Sequence, residues 1–307
     1  VAATTEGEMM GKAPHQHPIF GPALLSFWDE QYYKQGKDKK PMSVEGARFR
    51  HSWAGWCARK IEYSIRQAEG EEFDTPAIPV ADRWRMEVGT IVHDYWQAAI
   101  QHVFPNAEIE HKTSFSDSAE KGLMTAGHGD CLITDPKLGK IAVELKSRNG
   151  FGYKADVGWK GTDPQGPAES AVRQGALNAH YEDADILVIV HVSLEAMAAW
   201  ALPGDQKGNN YSPMRMTAEW WYPREEYEPI ALHELQRIEA IIGMVDKKAH
   251  APRSMPELPA GARITDIEKS QWTLEVDGQI TETGQIWGGK ACPDYCQFFK
   301  ECQQDGP

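Results

Sequence analysis

One stretch of the chain carries side chains that can do chemistry together. In GHGDCLITDPKLGKIAVELKS, Asp130 stands fourteen positions before Glu144, and Lys146 follows Glu144 after one intervening residue. The run Asp135-Pro136-Lys137-Leu138-Gly139 between them is turn chemistry and predicts a β-hairpin. Asp130 then lies in one strand, and Glu144 and Lys146 in the other. Alternate residues of a strand share a face, so Glu144 and Lys146 point one way while Leu145 points into the core. Two carboxylates converging across a hairpin make an oxygen-rich site suited to Mg²⁺ or Mn²⁺. A lysine beside them can orient or help deprotonate water, and its charge offsets the negative charge that grows on a phosphorane-like transition state. That is the requirement for phosphodiester hydrolysis. The same pattern also describes a surface hairpin with a cross-strand Glu–Lys pair, and a D…E-x-K match alone does not separate the two.

Three further features add weight. Upstream, Glu87-Val88-Gly89-Thr90-Ile91-Val92-His93 falls in a predicted helix. Glycine in mid-helix costs up to ~1 kcal/mol, so Gly89 is read as close packing against the sheet. His93, one turn on, can offer an imidazole to the same metal. Downstream, Gln174 in RQGALNAHY can hydrogen-bond a phosphate or the lysine. The third feature is the tail, where Cys292, Cys296 and Cys302 crowd the last sixteen residues. Clustered thiols without a ligand are an oxidation hazard. Cys57 in SWAGWCARK is the candidate fourth ligand. Cys131 is the poorer one, because strand alternation turns it away from the metal face. Four thiolates suit Zn²⁺ or an iron–sulfur cluster. A zinc ribbon brings two C-x-x-C pairs, so the single-plus-three spacing favours [4Fe–4S].

The elements that must position these residues follow from periodicity. Apolar residues bias one face of a helix over 22–34, and Trp53, Cys57, Ile61 and Ile65 recur at steps of four in a predicted helix over 48–69. A Pro-interrupted loop over 73–80 precedes the helix of Gly89 and His93, expected over 82–103. Strands are expected over 107–115, 123–134 and 140–147, and a Gly-rich loop over 149–167. A helix over 168–183 carries Gln174. Strands over 186–194 and 214–222 and an amphipathic helix over 229–250 follow. The remainder reads as loop until Cys292. The expectation is one α/β domain: a central mixed sheet flanked by helices. A mobile arm covers 1–20, a helical part 21–105, the sheet-bearing core 106–250 and a cysteine-bearing tail 251–307.

Composition bounds the rest. A chain of 307 residues with 41% hydrophobic content can build a substantial core. No run of about eighteen apolar residues occurs, so no membrane span is expected. VAATTEGEMMGKAPHQHP lacks the apolar core of a secretory signal. Five cysteines, an odd number, argue against a disulfide framework and point to the cytoplasm. The net charge of −13 argues at first against a nucleic-acid partner. Locally the balance reverses. Residues 137–173 hold seven basic residues against four acidic, and 44–67 hold five against two. Interleaved Trp53, Trp56, Phe151, Tyr153 and Trp159 either stack on unpaired bases or pack in the core.

These residues, in this order, resemble the PD-(D/E)XK nuclease superfamily. The similarity is narrower with its RecB-type branch that carries an iron–sulfur cluster, which includes the AddB nuclease, CRISPR-adaptation nucleases and phage exonucleases. A Gly-x-x-x-His helix matches Gly89 to His93, a GxxD strand matches Gly127 to Asp130, and the D/E-x-K strand matches Glu144 to Lys146. The family's Q-x-x-x-Y helix matches at Gln174, with Asn178 where the family has Tyr and Tyr181 three residues later. The tail reads Cys-x3-Cys-x5-Cys where Cys-x2-Cys-x5-Cys is common. The resemblance implies that His93, Asp130, Glu144 and the Leu145 carbonyl bind Mg²⁺ or Mn²⁺, with Lys146 as catalytic lysine. It implies that Cys57, Cys292, Cys296 and Cys302 hold a [4Fe–4S] cluster joining the N-terminal helical region to the tail. The implied activity is a DNA exonuclease acting on single strands or ends in recombination, repair or phage DNA metabolism. The competing expectation is a DNA-end-binding subunit of a recombination or CRISPR-adaptation complex.

Overall fold

The structure is a computed structural model, and it describes residues 26, 30, 34, 48–74, 79–114, 125–159, 162–252, 262–266, 271–276, 279–285, 296–298 and 302. The expected arm over 1–20 and Cys292 lie outside the described residues. Of the helix expected over 22–34, Ser26, Glu30 and Lys34 are helical, and Lys34 pairs with Glu30 at 2.6 Å one turn away.

The helix expected over 48–69 is corrected. The chain instead forms a short strand β1 (Phe49–Arg50), a 3₁₀ turn at His51–Trp53 and a helix α1 (Ala58–Ala68). Gly55 is the reason. It takes φ +73°, and a Cβ there would stand 2.9 Å from the Cα of Ser170, so the chain bends tightly against a later helix. Cys57 caps α1, and Ile61 and Ile65 below it are fully buried. Trp53 is buried too, but on the turn and not on the helical stripe.

The next elements follow the expected order. They are α2 (Val80–Val103), β2 (Glu108–Ser114), β3 (Thr125–Asp135) and β4 (Gly139–Arg148). β3 and β4 are antiparallel, and Asp135 Oδ1 accepts the N–H groups of Lys137 and Leu138 at 2.8 and 2.9 Å to close their turn. The Gly-rich loop is corrected in part. A helix α3 (Gly150–Val157) starts where Asn149 Oδ1 accepts the N–H of Gly152 at 2.6 Å, and it buries Tyr153 and Val157. Then come α4 (Glu169–Tyr181), β5 (Ile186–Ser193), β6 (Thr217–Pro223) and α5 (Arg224–Asp246). α5 begins before Pro229, because Glu225 and Glu226 supply the acidic first turn that a helix N-terminus favours. The tail is not all loop: β7 (Ala262–Asp266), β8 (Gln271–Val276) and β9 (Gln279–Gln285) form an antiparallel sheet. Asp277-Gly278, between β8 and β9 in sequence, is the hairpin signal that periodicity alone passes over.

Among the described residues the central sheet has six strands, in the order β1-β3-β4-β5-β6 with β2 on the other edge of β3. It is mixed: β4 runs parallel to β5, and β6 and β2 run antiparallel to their neighbours. One face carries Leu132, Ala142, Leu187 and Ile189 and packs under α1, α4 and α5. The other carries Cys131, Val143, Leu145 and Val188 beneath Trp96 and Ile100 of α2. No helix among the described residues is long and apolar enough to cross a membrane.

α4 lies close against the sheet at Gly175. A Cβ on Gly175 would stand 2.8 Å from Ile189 Cδ1, 2.9 Å from Leu187 Cδ1 and 3.4 Å from Glu144 Cβ. The corresponding contact at Gly89 is an ordinary 3.6 Å to Ser147 Oγ, so the tight packing read at Gly89 belongs to Gly175. Gly175→Ala sets an overpacking cost of about 1–3 kcal/mol against up to about 1 kcal/mol of helix propensity, and its melting temperature should fall by a few degrees. Gly89→Ala gains the propensity without the clash and should melt at or above the parent temperature. Thermal unfolding of the two variants side by side checks both outcomes.

Candidate metal site at the hairpin fork

The last β3–β4 pair on the side away from the turn is Cys131 with Val143. One step further, Asp130 and Glu144 stand opposite each other where the strands part. β1 takes over the vacated edge of β3 at Thr125 and Ala126. An unbroken ladder would engage both backbone groups of Leu145. In the fork its N–H donates to Asp130 Oδ2 at 2.6 Å, and its carbonyl faces His93 Nε2 at 3.0 Å. His93 Nε2 also lies 3.3 Å from Asp130 Oδ2. His93, Asp130 and the Leu145 carbonyl, expected from sequence as metal ligands, therefore meet at one point.

Glu144 and Lys146 sit on the neighbouring face. Lys146 Nζ donates to Glu144 Oε1 at 2.5 Å and to Gln174 Oε1 at 3.1 Å, so Gln174 reaches the lysine. Glu144 is almost wholly buried, and its Oε2 accepts from Asn178 Nδ2 at 3.0 Å. Asn178 departs from the family pattern, and sequence reasoning gave it no role. Its partner His51, with Nδ1 2.6 Å from Asn178 Oδ1, was missed as well, because it lies on a segment read as helix. A third carboxylate, Glu110 on β2, was also missed. Its position between Ile109, paired with Cys131, and His111, paired with Gly129, is a signal available only once β2 is in register. Glu110 takes φ +52°, and its Oε1 accepts from Gln97 Nε2 at 2.7 Å and lies 3.9 Å from His93 Nδ1.

The electrostatics follow from packing carboxylates together. Burial pushes Glu144 above the usual carboxylate range, Asp130 adds to the effect, and Lys146 and Asn178 oppose it. Burial disfavours the charge of Lys146, but Glu144 and Asp130 outweigh it and raise its pKa, so the ammonium is retained. Burial also works against His93, yet its hydrogen bond to Asp130, the charge of Asp130, the Leu145 carbonyl and Glu144 carry it up to about 9. The carboxylates thus favour positive charge on each base around them, the same property that attracts a dication. Ligand atoms of His93, Glu110 and Asp130 lie within 4.8 Å of one another. With the Leu145 carbonyl, 3.0 Å from His93 Nε2, they form a hard, oxygen-rich donor set that fits Mg²⁺ or Mn²⁺ better than a thiophilic ion. Cys131 stays out of it, buried on the other face with its thiol pushed up to about 12 by burial and by Asp130.

The basic segments are less free than their counts suggest. Arg48 pairs with Glu69 and Asp246, Arg59 and Arg66 with Glu62, Arg148 with Asp156, and Arg173 with Glu169 and Glu234. Trp53 and Tyr153 are core residues, whereas Phe151 is 77% exposed just beyond the end of β4. At the cysteine end, Cys57, Cys296 and Cys302 are each half-buried. Gln297 and Phe298 sit against α1 and the segment after it: Phe298 is fully buried 5.4 Å from the Tyr63 ring and 5.3 Å from Phe73, and Gln297 Nε2 donates to Gln67 at 3.4 Å.

No family model and no curated protein matches the chain. Among solved structures, the protein in the crystal structure of SSO0001 is similar over 76% of this chain and 91% of its own length, with 16% identity and a TM-score of 0.42. An alkaline exonuclease (LHK-Exo) from Laribacter hongkongensis is similar over 62% of this chain and 78% of its own, with 9% identity and a TM-score of 0.40.

Metal affinity tests the donor set. Residues that orient a ligand typically account for about 10–100-fold in affinity, and a ligand for at least as much. Asp130→Asn should weaken Mn²⁺ binding by about 100-fold or more, and Glu110→Gln, beside His93, by about 10-fold. Titration calorimetry or the Mn²⁺ EPR signal reads both, and parental affinity in Asp130→Asn would remove the fork as the metal site.

Proposed function

We propose that this chain is a metal-dependent deoxyribonuclease, an exonuclease acting on single-stranded DNA or DNA ends. The observation that carries the reading is the convergence of Asp130, Glu144, Lys146 and His93 at one fork, with Lys146 held between Glu144 Oε1 and Gln174 Oε1. A protein that only binds DNA does not need that set, and this weighs against the end-binding subunit of a recombination or adaptation complex.

In this reading His93, Asp130, Glu144 and the Leu145 carbonyl hold Mg²⁺ or Mn²⁺. The ion, when bound, polarises the scissile phosphate and makes water a better nucleophile. Lys146 does the rest of the local work. Its ammonium is fixed by two acceptors, so it presents its remaining proton in a set direction toward the attacking water or a phosphate oxygen. Its charge sits where the pentavalent phosphate gains negative charge. Glu144 keeps that ammonium charged, and Gln174 fixes it from the α4 side. Phe151, exposed beyond the end of β4, is in this reading the aromatic that stacks on a base of the strand.

With end-labelled single-stranded DNA and Mg²⁺ or Mn²⁺, the parent should release labelled products. Lys146→Ala should lower kcat by about 100-fold or more, the typical size of a lost acid–base or charge-stabilising group. Unchanged cleavage by Lys146→Ala would sink the site. Cleavage of covalently closed circles would replace the exonuclease with an endonuclease, and DNA binding without cleavage would favour the end-binding subunit.

The proposal extends to a [4Fe–4S] cluster held by Cys57, Cys292, Cys296 and Cys302. Two observations support it. Phe298, between Cys296 and Cys302 in sequence, packs on the helix that Cys57 begins, and a helix N-terminus favours a thiolate and the negative charge of a ligated cluster. Protein purified without oxygen should be brown, contain iron and sulfide, and bleach on reduction. Cys57→Ser should lose the colour and melt at lower temperature. A colourless protein containing zinc would overturn the cluster.

A further inference from the structure

We propose that Asn178, oriented by His51, is a positioning residue that fixes the Glu144 carboxylate in the metal and lysine site. The inference rests on the nuclease reading and names a device that replaces the tyrosine of the resembled family. Asn178 lies on α4 one turn beyond Gln174 and is 3% exposed. Its Nδ2 donates twice, to Glu144 Oε2 at 3.0 Å and to the His128 carbonyl at 3.3 Å. Two acceptors on one amide nitrogen leave no doubt about which way the amide points, since a flipped amide would set Oδ1 against a carboxylate and a carbonyl. Oδ1 therefore faces His51 Nδ1 at 2.6 Å, and His51 must donate through that nitrogen.

His51 is built to do so. Its ring is buried and stacks on Tyr181 at 5.2 Å with 11° between planes. Burial, the largest influence, with His128 and His180, lowers its pKa to about 4 against the opposing Asn178 bond, so the ring is neutral near pH 7. The arrangement also explains a glycine. A Cβ on Gly127 would stand 2.2 Å from His51 Nδ1 and 2.9 Å from Asn178 Oδ1, so the first glycine of GHGD is required by this hydrogen bond. Glu144 then cannot turn about its terminal torsion: Oε2 is tied to Asn178, and Oε1 is left to Lys146 and the cation.

The test compares Mn²⁺ affinity, kcat and KM with melting temperature. Asn178→Leu should melt below the parent, because Glu144 Oε2, the His128 carbonyl and His51 Nδ1 lose their amide partner, and while folded it should bind Mn²⁺ about 10–100-fold more weakly and lose kcat by a similar factor, with KM for DNA unchanged. Asn178→Ser, whose hydroxyl is too short to span the gap, should behave alike and serves if the leucine variant does not fold. Gly127→Ala should melt lower through its clash. Because that Cβ would also stand 2.9 Å from Asn178 Oδ1, Gly127→Ala should weaken Mn²⁺ binding as the Asn178 variants do, whereas a purely structural role would leave the affinity of the folded protein at the parental value. Parental Mn²⁺ affinity and kcat in both Asn178 variants would overturn the inference and leave the nuclease reading standing. A parent that binds no Mn²⁺ and cleaves no DNA would overturn that reading, and the inference with it.

Discussion

Beyond Cys131 and Val143 the two strands of the hairpin stop exchanging hydrogen bonds, and a buried backbone group without a partner is costly. The chain meets that cost with side chains. Asp130 accepts the Leu145 N–H that no strand accepts, and the Leu145 carbonyl is left facing His93. The fork therefore does two things with one set of atoms. It ends the ladder without orphaned groups, and it collects a carboxylate, a carbonyl and an imidazole where a second carboxylate and a lysine project from the adjoining strand. α4 presses on this point through Gly175, which brings Gln174 and Asn178 within reach of Lys146 and Glu144. Widening the fork, or lifting α4, would scatter all of these groups together.

Charge is arranged to serve that point and not to spread over a surface. The chain carries −13 overall, and Arg48, Arg59, Arg66, Arg148 and Arg173 of the two basic segments are engaged with acidic neighbours. A long-range field from this protein would repel a polyanion. In the nuclease reading, attraction for phosphate must then come at short range, from the dication and Lys146, with Phe151 adding stacking that is indifferent to charge.

The parts of this arrangement that were legible in the sequence are those fixed by local periodicity. The hairpin, the pairing of Asp130 with Glu144 and Lys146, and the α2 position of His93 all follow from turn chemistry and from residue periods of two and 3.6. Gln174 was legible through its helix. What was not legible depends on tertiary approach. Gly55 reads as a residue within a helix until its left-handed φ and its contact with Ser170 are seen, and that misreading hid His51. Glu110 needs the β2–β3 register. Gly89 and Gly175 are both mid-helix glycines, and only the sheet beneath them shows which one is a close contact. The basic counts misled because a count does not see partners.

The corrected segment gives the fold its internal logic. Residues 49–57 begin as a strand on β3, turn through His51 beneath the site, and end at Cys57 on the cap of α1. The turn between is pinned to α5. Gly55 N–H donates to Glu234 Oε1 at 2.9 Å, and Arg237 donates to the Trp56 carbonyl at 3.0 Å. Glu234 is fully buried. Burial opposes its charge, but Arg237, the Gly55 N–H and Arg173 hold its carboxyl below the usual range, so it stays ionised and binds both arginines. Arg173 belongs to α4, the helix of Gln174 and Asn178. One buried carboxylate thus ties the helix that orients Lys146 and Glu144 to the turn that follows His51.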